Sequence, residues 1–298
     1  MHSRVNNFHF INKLRAALRK CGIPSAWRKP KIIVSLTSYP KRITYAAAAI
    51  ETLLDQSKPA DLLLLWLSED EFPNKEADLP AELVALTARG LEIRWCRGNL
   101  KPHKKYYYTM RAYPNDIVIT TDDDLLYPPD LIETLYAAYE KHPDCVCAMR
   151  CHLPTFDEDG QIEAYAKWKK EYTALLDSPS LLLFATGVGG VLYPPYCMHP
   201  ALFRADDIQA LCPEGDDLWL KVMQVMAGTK TVLASAGMKL NYVPSSQSIS
   251  LWSRNMTEGN DRQLKAILEK YDAFFGEQDR LTARMQKDAV SLSGKETD

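Results

Sequence analysis

Three consecutive aspartates, Asp122, Asp123 and Asp124, directly follow an apolar run that predicts a buried strand. Carboxylates this close repel one another, and buried charge without a partner costs free energy, so packing alone does not explain them. A divalent cation relieves the repulsion, and hard oxygen ligands suit Mg²⁺ or Mn²⁺ ions that also keep waters and phosphate oxygens. The triplet predicts a metal site beside a diphosphate, with a solvated acidic turn as the alternative.

The triplet is not expected to act as one undivided site. Side chains alternate along an extended segment, which places Asp122 and Asp124 on one face and Asp123 on the other. We expect Asp122 and Asp124 to be the metal ligands. Asp123 is then expected to bond a ribose or a neighbouring backbone group.

A second acidic group opens a predicted helix at Asp216 and Asp217. Carboxylates are favourable at a helix N-terminus because of the helix dipole, which explains at least one of the two. An acceptor hydroxyl, however, needs a general base, and a carboxylate at the mouth of the same pocket could supply it. Asp217 is favoured over Asp216 because it is the last acidic residue before the apolar helix.

Two other segments offer groups for a nucleotide. Residues 35–42 combine small hydroxyls with Lys41 and Arg42 but contain neither GxxxxGK nor GxGxxG, and a plain turn is the alternative. Residues 101–108 place basic side chains before three tyrosines. We expect these basic side chains to neutralise a diphosphate, and stacking on nucleic acid is the alternative. The residues expected to contact the nucleotide are Ser35, Thr37, Ser38, Tyr39, Arg42, Lys104, Lys105 and Asp123.

Short apolar runs alternate with helical periodicity and predict the elements that position these residues. Strands are expected at 32–34, 62–67, 92–95, 116–121, 145–150 and 231–234, and helices at 46–54, 83–88, 130–141, 216–226 and 262–275. Alternation of this kind predicts an α/β fold with a central, mostly parallel sheet flanked by helices. Ligands of such sheets bind outside the carboxyl ends of the strands, which is where the triplet falls.

Composition limits the class of protein. The chain has 298 residues, 46% hydrophobic and 25% charged, and a net charge of -2, so no general attraction to nucleic acid is expected. Its seven cysteines form no CxxC pair and are typical of reduced cytosolic thiols. No apolar run approaches the roughly 20 residues that span a bilayer. The first 30 residues predict a basic amphipathic helix, either packed on the domain or lying on an anionic membrane surface.

The segments 32–39 and 117–124, followed by Gly189-Gly190 and the sequence at 214–217, resemble a bacterial GT-A-fold glycosyltransferase similar to family 2, over residues 31 to 245. The resemblance implies a Rossmann-type sandwich and a DxD motif that binds metal and donor diphosphate, which maps onto Asp122 and Asp124. It also implies that Asp216 and Asp217 form the acidic motif that supplies the base in inverting members. Gly189 and Gly190 are expected to line the donor or acceptor pocket.

One family feature has no counterpart in this sequence. Many GT-A enzymes add a C-terminal histidine as a metal ligand, but the last histidine here is His199. Asn241, Asn260 or Asp261 could take its place, or the triplet and water could suffice.

The combined hypothesis is a glycosyltransferase that uses Mn²⁺ or Mg²⁺ to move a sugar from a nucleotide-sugar, expected to be a UDP-sugar, to a saccharide or lipid-linked acceptor. The expected pathway is lipopolysaccharide or capsule synthesis, with an inverting mechanism, in the cytoplasm or against the inner face of the membrane. The alternatives are a nucleotidyltransferase acting on sugar phosphates and a non-catalytic module that binds nucleotide or glycan. The expected organisation is a basic segment (1–30), a catalytic domain (31–255, divided at 125/126) and a helical tail (256–298).

Overall fold

Apolar runs in the first half of the chain form a parallel sheet. The computed structural model describes residues 29–246, 259–276 and 279–293, so the basic helix predicted at the N-terminus lies outside the described residues. The strands are β1 (Ile32–Thr37), β2 (Leu62–Ser68), β3 (Leu91–Cys96), β4 (Ile117–Thr120), β5 (Val146–Ala148), β6 (Cys151–His152), β7 (Phe184–Ala185), β8 (Val191–Tyr193) and β9 (Thr231–Leu233). The first four strands pair in parallel in the order β3-β2-β1-β4.

The second half of the chain extends this sheet to seven strands. β8 runs antiparallel to both β4 and β5, and β9 pairs in parallel with β5, giving the order β3-β2-β1-β4-β8-β5-β9. The remaining two strands, β6 and β7, form a separate antiparallel pair. The predicted mostly parallel sheet is confirmed. β4 lies at its centre with all four residues buried, as its continuous apolar sequence predicts.

Helices cover both faces of the sheet. They are α1 (Ile43–Leu54), α2 (Ala81–Ala85), α3 (Lys104–Ala112), α4 (Leu131–Lys141), α5 (Ala205–Leu211), α6 (Asp216–Met226), α7 (Asn260–Tyr271) and α8 (Leu281–Ser293). One apolar core joins α1, α2 and α4 to one face, and the other joins α3, α5, α6, α7 and α8 to the opposite face. Alternate strand residues serve the two cores, because successive side chains on a strand point to opposite faces.

The structure lengthens β1 beyond the predicted strand. β1 continues through Ser35 to Thr37, and the Ser35 hydroxyl bonds Lys105 O at 2.6 Å and Thr109 Oγ1 at 2.7 Å. Ser35 therefore fastens α3 to the sheet and does not line the cavity described below, and its contact with a nucleotide stays a prediction. Among the described residues, no helix is long and apolar enough to cross a membrane.

Removing a core side chain should destabilise the fold. Leu65 on β2 is fully buried, whereas Leu176 is 44% exposed. We expect Leu65→Ala to lower the free energy of unfolding by about 2 to 5 kcal/mol, because it leaves a cavity in a packed core. The matched variant Leu176→Ala should change it by less than about 1 kcal/mol. Urea unfolding followed by circular dichroism measures both, and equal effects would contradict this assignment of the core.

Candidate active site

A cavity of about 420 Å³ lies at the carboxyl ends of the parallel strands. Its walls come from the loop after β1, the start of α3, the aspartates after β4, the start of α6, and the segments around residues 150–152 and 184–188. Asp122, Asp123, Asp124, Asp216 and Asp217 all line it. The fold therefore brings together two acidic groups that lie about 90 residues apart in sequence.

A buried lysine connects the two acidic groups. Lys105 Nζ lies 2.7 Å from Asp122 Oδ1 and 2.9 Å from Asp216 Oδ2, and its side chain is only 5% exposed. Burial lowers the pKa of Lys105, but the charges of Asp122 and Asp216 outweigh burial and hold this pKa well above its usual range. The ammonium is therefore charged, and it neutralises protein carboxylates in addition to lining the cavity.

A buried arginine holds the other two members of the triplet. Arg42 Nη2 lies 2.6 Å from both Asp123 Oδ1 and Asp124 Oδ2, and Ser38 Oγ donates to Asp123 Oδ2 at 2.5 Å. The alternation expected along the triplet is wrong, because β4 ends at Thr120 and a turn at Asp123 and Asp124 directs both carboxylates to one guanidinium. Asp122 and Asp124 still share the cavity wall, and their role as metal ligands stays a prediction.

Carboxylates outnumber the cations that contact them in this part of the cavity. Five aspartates face Arg42 and Lys105, and burial raises the pKa of Asp123 to about 6 despite the guanidinium beside it. No group of three His, Cys, Asp or Glu side chains in the described ranges is arranged to hold a metal ion alone. Excess negative charge with one or two available carboxylates fits a Mg²⁺ or Mn²⁺ ion that takes its other ligands from phosphate and water.

The acidic pair at the start of α6 divides into two different environments. Asp216 pairs with Lys105, whereas Asp217 Oδ2 accepts a hydrogen bond from Gly187 N at 2.9 Å. Burial, followed by the charge of Asp216, raises the pKa of Asp217 to about 7. Asp217 therefore has the properties of a general base that works near neutral pH.

The structure selects a different glycine from the two predicted for the pocket. A Cβ on Gly187 would lie 2.8 Å from Asp217 Oδ1, so only glycine allows this approach. Gly189 instead packs on Arg150, and Gly190 packs on Leu131 with a φ of 90°. Neither lines the cavity, and a pocket role for Gly189 and Gly190 stays a prediction. The glycine-rich segment was the right signal, but sequence alone could not identify the contacting member.

The remaining predicted nucleotide contacts lie on the cavity wall. Thr37, Ser38, Tyr39, Arg42 and Lys104 all line it. Lys104 is 1% exposed, and its Nζ donates to Glu71 Oε2 at 2.6 Å and Asn99 Oδ1 at 3.2 Å.

The sequence did not predict several other residues on the cavity wall. The irregular chain between β6 and β7 carries no periodic signal, so its contribution to the cavity wall is seen only in the structure. The residues missed are Glu71, Asn99, Arg150, His152, Tyr165, Phe184 and Tyr242.

Only one of the three candidates for a further metal ligand reaches the cavity. Asn260 lines it, whereas the Asp261 carboxylate accepts a hydrogen bond from Tyr165 N at 2.7 Å. Asn241 does not line the cavity. Asn260 is therefore the candidate for a further metal ligand that the position of the cavity supports.

The sheet order and the acidic cavity at its carboxyl edge define a GT-A-like glycosyltransferase. The model of Glycosyl transferase family 2 matches residues 37–186, half of the chain, and the chain belongs to this family. Family membership favours glycosyl transfer over the nucleotidyl transfer and the non-catalytic binding that the sequence left open. No curated protein matches the chain at a significant level.

Solved structures share the fold at low sequence identity. The mannosyltransferase PcManGT from Pyrobaculum calidifontis, in complex with GDP-Man and Mn²⁺, is 11% identical with a TM-score of 0.52, covering 94% of this chain and 77% of that one. S. aureus TarS 1-349 in complex with UDP is 12% identical with a TM-score of 0.45, covering 82% and 72%. At these identities the likeness concerns the fold alone.

Replacing Lys105 should destabilise the protein. We expect Lys105→Met to lower the free energy of unfolding by about 3 to 5 kcal/mol, because it leaves the buried Asp216 and the partly buried Asp122 without their cation. Adding Asp216→Asn should recover part of this loss, because it removes one of the two unpaired charges. Chemical denaturation of the two variants provides the measurement. A single variant as stable as the wild type would show that the ammonium does not hold the two segments together.

Proposed function

We propose that the protein transfers a sugar from a nucleotide-sugar to a hydroxyl of a saccharide or lipid-linked acceptor, with inversion at the anomeric carbon and Asp217 as the general base. One observation carries this proposal. Asp217 is a partly buried carboxylate whose pKa is raised to about 7, and it shares the cavity with the acidic triplet that follows β4.

The chemistry assigned to Asp217 is a single displacement. Its carboxylate removes the proton of the acceptor hydroxyl while the hydroxyl oxygen forms a bond to the anomeric carbon. The bond between that carbon and the nucleoside diphosphate breaks, and the nucleotide leaves from the opposite face of the sugar. Gly187 supports this role, because its N–H holds the Asp217 carboxylate in place without a side chain to displace it.

The donor nucleotide is assigned to the wall formed by the loop after β1 and the start of α3. Thr37, Ser38 and Tyr39 line this wall, where the Thr37 hydroxyl donates to Trp66 O and can still accept a hydrogen bond. Asp123 is held there by Ser38 and Arg42 and is the proposed partner of the ribose. A UDP-sugar is the proposed donor. Lys104 lines the same wall, where its cation is balanced by Glu71.

Asp122 and Asp124 are the proposed holders of Mn²⁺ or Mg²⁺. When bound, the ion would stabilise the negative charge that develops on the leaving diphosphate. The excess of carboxylates over cations in the cavity supports this assignment. Arg42 and Lys105 hold the same carboxylates in position at the carboxyl end of β4.

The acceptor is proposed to belong to the assembly of a surface polysaccharide such as lipopolysaccharide or capsule. The basic residues that precede Glu51 support a contact with an anionic membrane, where a lipid-linked acceptor would be found.

Metal-dependent nucleotide binding tests the assignment of Asp124. We expect Asp124→Ala to weaken the binding of UDP or GDP in the presence of Mn²⁺ by more than about tenfold, because it removes one of two protein ligands. Without Mn²⁺ the variant and the wild type should bind the nucleotide equally. Calorimetry gives the constants, and Asp55→Ala, whose side chain is 67% exposed, is the control. Equal binding with Mn²⁺ would remove Asp124 from the metal site.

Loss of the base should stop transfer and leave nucleotide binding intact. We expect Asp217→Asn to lower kcat about 100- to 10,000-fold, the usual contribution of a general base. Because the base acts deprotonated, the wild-type kcat/KM should rise with pH and level off above about 7. The exposed Asp206→Asn is the control, and NMR of the product gives the anomeric configuration. Full activity of Asp217→Asn, or a product of retained configuration, would contradict the mechanism.

A further inference from the structure

One part of the cavity wall, at Arg150, His152 and Tyr165, is rich in hydrogen-bond donors. Arg150 follows β5, His152 lies on β6, and Tyr165 belongs to the irregular chain between β6 and β7, and all three line the cavity. The mechanism proposed above uses none of them. Their chemistry differs from that of the acidic cluster across the cavity, because none of the three carries a negative charge at neutral pH.

Arg150 has an unused donor at a buried position. Its Nη1 donates to Thr186 Oγ1 at 3.1 Å and its Nη2 to Glu171 Oε1 at 3.0 Å, while its Nε is buried and makes no hydrogen bond. The Arg150 side chain is 17% exposed, whereas Glu171 is 62% exposed and does not line the cavity. Solvent screens the Glu171 charge, so the guanidinium keeps much of its attraction for an anion inside the cavity.

His152 adds a second donor. Its Nδ1 accepts a hydrogen bond from Glu171 N at 3.1 Å, so the neutral ring carries its proton on Nε2. Burial, followed by the charge of Arg150, lowers the pKa of His152 to about 3, and the ring is neutral at physiological pH. A neutral imidazole with this tautomer donates to an oxygen atom and does not compete with Arg150 for a counter-ion.

Tyr165 connects this wall to the proposed base. Lys170 Nζ lies over the Tyr165 ring at 3.3 Å from its centroid, and Tyr165 N donates to Asp261, so the ring is held in place. Burial and the charge of Asp217 raise the pKa of the phenol, whereas Arg150 lowers it. The phenol thus lies within the influence of both Asp217 and Arg150.

We propose that Arg150, His152 and Tyr165 form an acceptor subsite that binds a saccharide carrying a phosphate or carboxylate group. The Arg150 guanidinium attracts the anion, the His152 ring donates to it, and Tyr165 orients the acceptor toward Asp217. This inference rests on the proposed function, because it assigns the acceptor's charge. The Arg150 guanidinium is the observation that points to an anion, since it lines the cavity while Glu171, the carboxylate that pairs with it, is 62% exposed and lies outside the cavity.

Binding of charged and neutral sugars tests the subsite. The probes are glucose, galactose, mannose and N-acetylglucosamine, each beside its 6-phosphate and the corresponding uronate, measured by calorimetry with and without UDP and Mn²⁺. We expect at least one charged class to bind about 10- to 100-fold more tightly than its neutral parent, as a charge-assisted hydrogen bond provides. The phosphate and uronate arms identify the source of the charge. No preference for either class would overturn the proposal.

Variants separate recognition of the anion from a structural role. Arg150→Gln should remove the preference for charged sugars and leave nucleotide binding unchanged. Arg97, whose side chain is 95% exposed, provides the control, and Arg97→Gln should change neither property. Glu171→Gln removes the competing carboxylate, so it should preserve or tighten binding of the charged sugar. Weakened binding in Glu171→Gln, or loss of nucleotide binding in Arg150→Gln, would overturn the subsite.

The nucleotide measurement also separates this inference from the proposed function. If charged sugars bind but UDP and GDP do not, the assignment of the donor fails and the anion subsite stands. If the nucleotides bind and charged sugars bind no more tightly than neutral ones, the anion subsite fails and the assignment of the donor stands.

Discussion

The ammonium of Lys105 is the interaction on which the rest of the site depends. It lies at the first turn of α3 and contacts Asp122 after β4 and Asp216 at the start of α6. Three segments distant in sequence thus converge on one buried charge. Because both carboxylates are largely removed from water, their separation from the ammonium fixes the distance between the triplet and the proposed base. The Ser35 hydroxyl supports the arrangement by donating a hydrogen bond to the Lys105 carbonyl.

A second contact fixes the same segments without charge. His103 Nε2 lies 2.7 Å from the Cys212 carbonyl, which can only accept, so this nitrogen carries the proton and Nδ1 accepts from the Tyr106 hydroxyl at 2.7 Å. Burial lowers the pKa of His103 to about 4, which keeps the ring neutral. The loop before α6 is therefore tied to the start of α3 at His103 as well as at Lys105. This double attachment explains how a short loop can hold Asp217 in one position.

Charge is distributed unevenly across the cavity, and this has a chemical consequence. The part of the cavity around Arg42 and Lys105 carries more carboxylates than cations, which suits a divalent ion and a base, while another part presents Arg150 and neutral His152. A donor that carries its phosphates to the acidic side needs positive charge from outside the protein. An acceptor that carries an anion finds positive charge at Arg150. In the proposed mechanism the two substrates therefore bind to different parts of one cavity.

The sequence by itself determined the sheet, its central strand and the acidic groups at its edge. Continuous apolar runs of strand length predict buried parallel strands, and three aspartates after β4 have few explanations besides metal or phosphate chemistry. Contacts between distant segments were decided only by the tertiary structure. The turn that directs Asp123 and Asp124 to Arg42, the choice of Gly187 over Gly189 and Gly190, and the donor wall at Arg150 depend on backbone paths that have no periodic signal. Periodicity reports which face of an element is buried, but a contact across a cavity depends on where two elements meet.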